Sequence, residues 1–221
     1  RSPVAKQSSI VNFLMLNARS INNKLPELYN LLYSRAYDVI IIGESWLRSS
    51  TPDGLIDPNN QYTCIRCDRQ SVFSGGGVCV FVSKVYAVVV IDLADIYPEL
   101  EICCFDLMFE SCRCRVFAVY RAPSCDSSHM SRLLECLCKF SDVGYHCIIA
   151  GDLNCPGVDW VSLKAPADNV QDALLDFAVT RSFTQIVDSP TRLDNTLDIV
   201  LTSEPLAICN ANAIEPFSTS D

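Results

Sequence analysis

Apolar positions fall along this chain in short runs and helix-spaced sets, and the alternation between them predicts its elements. Residues 10–16 form a run broken only by Asn12 and read as a strand. Ser20 then precedes Ile21, Leu25, Leu28, Leu31 and Leu32, a spacing that predicts a helix capped by Ser20. A second strand over 38–42 ends at Gly43 and delivers Glu44 just beyond it. After the turn-rich stretch 49–60, strands are expected over 62–66, 77–82, 87–93, 100–109 and 112–120, with residues 74–77 as a glycine-rich turn. Met130, Leu133, Leu134, Leu137 and Phe140 place a helix over 127–140, and a strand over 146–150 ends at Gly151. Ala173, Leu174, Phe177 and Ala178 give one face of a helix over 170–180, and strands over 196–202 and 206–214 precede the end of the chain. Helices inserted between groups of strands imply an α/β fold, a four-layer sandwich of two packed mixed β-sheets flanked by helices.

Composition agrees with one large core. Of 221 residues, 49% are hydrophobic and 19% charged, which suits a single sizeable domain and argues against disorder. No apolar run approaches the roughly 20 residues that span a bilayer, so no membrane partner is expected. No repeat of fixed period stands out. Residues 1–9 lack an initiating Met and lead into no signal-peptide pattern, so they are read as a tail before a domain over 10–221, inside a longer product. The thirteen cysteines are odd in number and irregular in spacing. Cys79, Cys103, Cys104, Cys147 and Cys209 read as small buried hydrophobes without disulfide partners, as expected in a reducing intracellular compartment, nuclear or cytoplasmic. Zinc at Cys64 and Cys67, or at the pairs Cys112/Cys114 and Cys136/Cys138, is disfavoured, because only His129 and His146 could supply imidazole.

Net charge is −9, with a pI near 4.7, which opposes general attraction to nucleic acid. A site for a divalent cation must nevertheless gather carboxylates, and a local groove can be basic on an acidic protein.

The candidate chemistry lies where strands end. Asp152 and Asn154 follow the apolar run 147–150 and Gly151, Glu44 repeats the arrangement after Gly43, and Asn17 closes the first strand. Each type also forms ordinary turns or caps, but three polar strand exits favour a shared rim.

The series Leu16-Asn17-Ala18-Arg19-Ser20, Gly43-Glu44-Ser45-Trp46-Leu47, Val119-Tyr120-Arg121-Ala122-Pro123, Gly151-Asp152-Leu153-Asn154, the run 196–202 around Asp198, and Ser220-Asp221 resembles the endonuclease/exonuclease/phosphatase family over residues 10–221. Within that family it is most similar to the endonuclease domain of non-LTR, LINE-like retrotransposon polyproteins. Apurinic endonucleases usually carry Asp where Arg19 stands, so abasic-site repair is less favoured.

The resemblance implies a deoxyribonuclease-like fold and a metal-dependent endonuclease that nicks a DNA duplex to prime reverse transcription, with a reverse-transcriptase region in the same polyprotein. Glu44, Asn17 and Asp221 would hold Mg2+, with Mn2+ as an alternative, since hard cations prefer oxygen ligands. Asp152 would activate water, Asn154 would hold the phosphate or that water, and Tyr120 would stabilise developing charge. Asp198 would steady a His that in the family follows the Ser-Asp pair. The chain stops at Asp221, so the domain is read as cut short before that His. Arg121 and Ser220 are the substrate-binding candidates, while Arg48, Arg66, Arg69, Arg113 and Arg115 read as solvated surface. The alternatives are another phosphodiesterase of the same fold, acting on phosphoinositides, sphingomyelin or RNA, and a non-catalytic remnant.

Overall fold

A computed structural model describes residues 10–69, 75–110, 112–142, 144–167, 170–192, 195–214 and 217–218. One sheet is built from β1 (Phe13–Asn17), β2 (Val39–Gly43), β3 (Tyr62–Cys67) and β4 (Val78–Ser83), in the order β1-β2-β4-β3. The other contains β5 (Ala87–Ile91), β6 (Glu101–Met108), β7 (Arg113–Tyr120), β8 (His146–Asp152), β9 (Thr184–Gln185) and β10 (Asp198–Thr202), in the order β5-β6-β7-β8-β10-β9. Each sheet is mixed, with one parallel pair, β1 with β2 and β7 with β8. A parallel pair needs a crossover, and helices supply it: α1 (Leu25–Ser34) between β1 and β2, and α3 (Ser127–Ser141) between β7 and β8. The remaining helices are α2 (Asp53–Ile56) and α4 (Gln171–Thr180).

The strand period of two divides the core into layers. Val39 and Ile41 of β2, Val78, Val80 and Val82 of β4, Val116 and Ala118 of β7, and Ile148 and Ala150 of β8 meet between the sheets. Their sequence neighbours point outward. Ile40, Ile42, Cys79 and Phe81 pack with Leu28 and Leu32 of α1, while Phe117, Val119 and Ile149 pack with Met130, Leu133 and Leu137 of α3 and Leu174 and Phe177 of α4. Helix, sheet, sheet, helix is the four-layer sandwich the pattern predicts.

The expected elements are present with three corrections. Ser20 does not cap α1; it has φ 88°, and the helix begins at Leu25 after Lys24, with Pro26 in its first turn. Proline lacks an N–H and is accommodated in a first turn, where that donor has no intrahelical partner. The strand expected over 206–214 does not form; a 3-10 turn at Pro205–Ala207 replaces it, and Leu206 is 93% exposed. Cys209 in that segment is therefore exposed and not a core residue, whereas Cys79, Cys103, Cys104 and Cys147 are buried as expected. Arg66 and Arg115 are not solvated surface either. Arg66 bonds Asp53 and Asp68, and Arg115 pairs with Asp106 at 2.7 Å beneath the C-terminal end of α3, where it also bonds the Phe140 carbonyl.

Candidate functional site

The same parity that builds the inter-sheet core carries it to a polar mouth. In β1 the inward row Phe13, Met15 ends at Asn17; in β7, Val116 and Ala118 lead to Tyr120; in β8, Ile148 and Ala150 lead to Asp152; and in β10, Asp198 precedes the inward Val200. Register aligns these ends: Asn17 pairs with Gly43, Tyr120 with Asp152, and Asp152 with Asp198. The apolar rows thus end in four polar side chains at one edge of both sheets.

Glu44 joins them through a turn. It has φ 49° and Trp46 φ 54°, left-handed conformations uncommon outside glycine, and the turn is tied down by Ser45 N–H to Gly77 O at 3.1 Å and Trp46 N–H to Gly76 O at 3.0 Å. The Asn17 amide donates to Glu44 Oε1 at 2.8 Å and to Asp152 Oδ2 at 3.1 Å, linking a carboxylate of each sheet. The Trp46 indole N–H lies 3.3 Å from Glu44 Oε2, and the Arg19 N–H donates to Asn17 Oδ1 at 3.1 Å. Lys24 is buried behind this corner and donates to the Ala18 carbonyl.

The end of β8 and the turn that follows it are tightly held. Gly151 has φ 155°, and a Cβ there would lie 1.8 Å from the Val119 carbonyl oxygen, so only glycine fits. Asn154, at φ 49°, donates its N–H to Asp152 Oδ1 at 3.0 Å and its side-chain amide to Arg121 O at 2.8 Å. The Asn154 amide is thereby turned to the backbone of the neighbouring loop. Thr191 Oγ1 accepts from the N–H groups of Leu197 and Asp198 at 3.0 and 3.1 Å, which fixes the start of β10. Asn17, Arg19, Asp152, Thr191, Arg192 and Asp198 line a small cleft there. A larger cleft, about 310 Å3, lies beside edge strand β3 and contains none of these residues.

Electrostatics follow from this crowding. Burial, and then the Asp198 charge, raise the Asp152 carboxyl to about 7, against the opposing hydrogen bonds from Asn154 and Asn17. Burial pushes the Tyr120 phenol well above its usual range, reinforced by the charges of Glu44 and Asp152, so it remains a neutral donor at physiological pH.

Arg121 departs from expectation. Because Tyr120 faces the rim, its neighbour must point away; Arg121 is 2% exposed, and its guanidinium donates to the carbonyls of Leu153 and Cys125. It braces the Asp152–Asn154 turn and presents no group to a phosphate. Ser220 and Asp221 lie outside the described residues. The last described pair closes on α1, with Phe217 against the outer core and Ser218 Oγ bonded to Glu27 at 3.1 Å. Trp46, Thr191 and Lys24 are supports the sequence reading missed, since a hydrogen bond from a distant turn leaves no local pattern.

Among the described residues no group of three His, Cys, Asp or Glu side chains is arranged to hold a metal ion. The carboxylates of Glu44 and Asp152 nevertheless bring hard oxygen donors, the donor chemistry that suits Mg2+ or Mn2+, to either side of the Asn17 amide, whose N–H group faces them while its Oδ1 accepts from the Arg19 N–H.

Comparison with known proteins supplies the context. Residues 114–221 match the family model described as Endonuclease-reverse transcriptase. No curated protein sequence matches. The endonuclease domain of TRAS1, a telomere-specific non-LTR retrotransposon, superposes with a TM-score of 0.64 at 15% identity, covering 88% of this chain and 85% of that one. An AP endonuclease from Archaeoglobus fulgidus gives 0.65 at 16% identity, covering 90% and 88%. The 3′ phosphatase NExo from Neisseria gives 0.58 at 16% identity, again covering 90% and 88%. At these identities the likeness establishes architecture. The chain has the fold of the endonuclease/exonuclease/phosphatase family.

Proposed function

We propose that the rim hydrolyses phosphodiester bonds in DNA, and that the chain is a divalent-metal-dependent endonuclease that nicks one strand of a duplex. The observation that carries this reading is the Asn17 amide in contact with both Glu44 and Asp152, which brings carboxylates from two sheets to one point on a rigid scaffold. In this reading Glu44 and Asn17 hold Mg2+, joined by Asp221. The ion, when bound, supplies Lewis-acid polarisation of a phosphoryl oxygen. Asp152 accepts the proton of the attacking water, and Asn154 fixes the Asp152 carboxylate through its N–H. Tyr120 donates its phenolic proton toward the charge that develops on the phosphate, and Asp198 holds the opposite side of the pocket. Ser220 contributes to substrate binding beside Asp221.

The finer reading is that the nick leaves a 3′-hydroxyl which primes reverse transcription by a further region of the same polyprotein. It is supported by the Endonuclease-reverse transcriptase match and by the likeness to the TRAS1 domain. The domain in this reading occupies residues 10–221.

Nicking of supercoiled plasmid in Mg2+ tests the proposal, using the 221-residue chain, a version extended beyond Asp221, and Glu44→Ala and Asp152→Ala in each. Open circles are expected from the parent proteins, with losses on the order of 10²–10⁴ in rate for Asp152→Ala. An absence of nicking together with turnover of a lipid phosphodiester would overturn it in favour of another phosphodiesterase.

A further inference from the structure

A cation stands on the Tyr120 side of the rim, held by an ion pair and unused by the mechanism above. Arg69 follows β3 and donates through Nε to Glu101 Oε1, while Glu101 Oε2 accepts the Gly77 N–H at 2.5 Å. Glu101 is the register partner of Tyr120, and the Arg69 guanidinium carbon lies 5.9 Å from the centre of the Tyr120 ring. The guanidinium occupies the space that a side chain on Gly76 would fill. A Cβ on Gly76 would fall 2.3 Å from Arg69 Cζ, and one on Gly75 would lie 3.8 Å from both Arg69 Nη1 and Trp46 Nε1.

Gly76 therefore makes room for a guanidinium that also lies within van der Waals reach of Gly75, between Tyr120 and the indole that bonds Glu44. A purely structural ion pair needs no such clearance beside the reacting groups. Glu101 removes most of the side-chain freedom of Arg69, which lowers the entropic cost of using it again on a ligand. The Arg69 side chain keeps 25% exposure, so the cation is held but not sealed.

We infer that Arg69 is a substrate-positioning residue, its guanidinium contacting a backbone phosphate of the nucleic-acid strand next to the bond that is cut. The inference rests on the proposed nuclease function. It places a guanidinium, paired on one side with Glu101, at the rim of a chain whose net charge is −9, where general attraction to a polyanion is opposed. A contact of this kind is sequence-independent: it positions the strand and adds affinity.

The test measures equilibrium binding of a fluorescent duplex to the full 221-residue chain without Mg2+, across a salt series, for the parent, Arg69→Gln and Arg69→Lys. Loss of one phosphate contact flattens the slope of log affinity against log salt by about 0.9. The expected result is that flattening in Arg69→Gln, a slope kept by Arg69→Lys, and unchanged affinity of both for a small uncharged nucleoside. Equal weakening by both substitutions with an unchanged slope would assign Arg69 to packing and overturn the inference. A parent that binds duplex with Arg69→Gln indistinguishable from it overturns the inference alone. A parent that neither binds nor nicks overturns both this inference and the function beneath it. Should Arg69→Gln fail to fold, Glu101→Gln decides, since it keeps the cation and removes its internal partner: tighter duplex binding with a steeper slope supports the contact, and an unchanged slope and affinity overturn it.

Discussion

Asp152 and Asp198 stand directly opposite each other on one face of an antiparallel pair, an arrangement that costs stability while both are ionised. Asp198→Asn is therefore expected to stabilise the metal-free chain by about 0.2–1 kcal/mol in urea unfolding while lowering nicking activity. Lower stability, or activity retained in full, would contradict that role. Gly151 carries a sharper expectation. A methyl group at 1.8 Å from the Val119 oxygen cannot be accommodated by side-chain movement, so Gly151→Ala should cost more than about 3 kcal/mol or abolish cooperative unfolding. The strand exits at Glu44 and Asp152 were legible in the sequence because a short apolar run, a glycine and a carboxylate is a local pattern, and the one at Asn17 because a polar residue closes an apolar run. Arg121 was misread because its direction depends on parity relative to Tyr120, and parity needs a face assignment that one strand cannot supply. Arg69 was legible only as a charge, since its relation to Tyr120 arises from pairing between β6 and β7.

At the scale of elements, β6 and β7 are joined by more than their ladder. Asp106 and Arg115 are register partners on the outward face, with Tyr145 O–H donating to Asp106 at 2.8 Å. Burial opposes ionisation of Asp106, but the Arg115 and Tyr145 hydrogen bonds outweigh it and hold the carboxyl below its usual range. The lowered folded value means that the stabilisation is complete above the ordinary carboxylate range and is lost as pH falls through the folded value. Asp106→Asn should cost on the order of 3 kcal/mol near neutrality, and the difference in urea midpoint between parent and variant should shrink as the solution is acidified. A difference that persists unchanged in strong acid would contradict the assignment. Edge strand β5 presents Val89 and Val90, each 52% exposed, with no charge or proline in the strand to block pairing with another edge. Val90→Lys should reduce concentration-dependent light scattering while shifting stability by less than about 0.5 kcal/mol. Strand and helix periodicity made most elements readable. The failure over 206–214 shows the limit: an apolar composition predicts a strand, but this segment pairs with neither sheet, and Leu206 is left exposed.

At the scale of the whole molecule, two sheets pack so that their inward rows end together, and the site is the polar mouth of that shared core. This is why residues as distant as Asn17 and Asp152 meet, and why no single segment of the sequence reveals the geometry. The excess negative charge makes the bare rim a poor place for DNA and a suitable one for a divalent cation. Mg2+ should raise the melting temperature in a concentration-dependent way, with a stabilisation near 2.7 kcal/mol at a hundredfold excess over the dissociation constant, and Glu44→Gln should remove that gain. In the proposed function, Glu44 and Asp152 form one hydrolytic site for a DNA strand. Single-turnover cleavage of an end-labelled duplex in Mg2+, with the product strand then offered to a polymerase, tests it most directly. A cut strand that the polymerase extends, showing a 3′-hydroxyl, is expected, with cleavage lost in both Glu44→Gln and Asp152→Asn though each still folds. Cleavage that survives either substitution at the parental rate would contradict it.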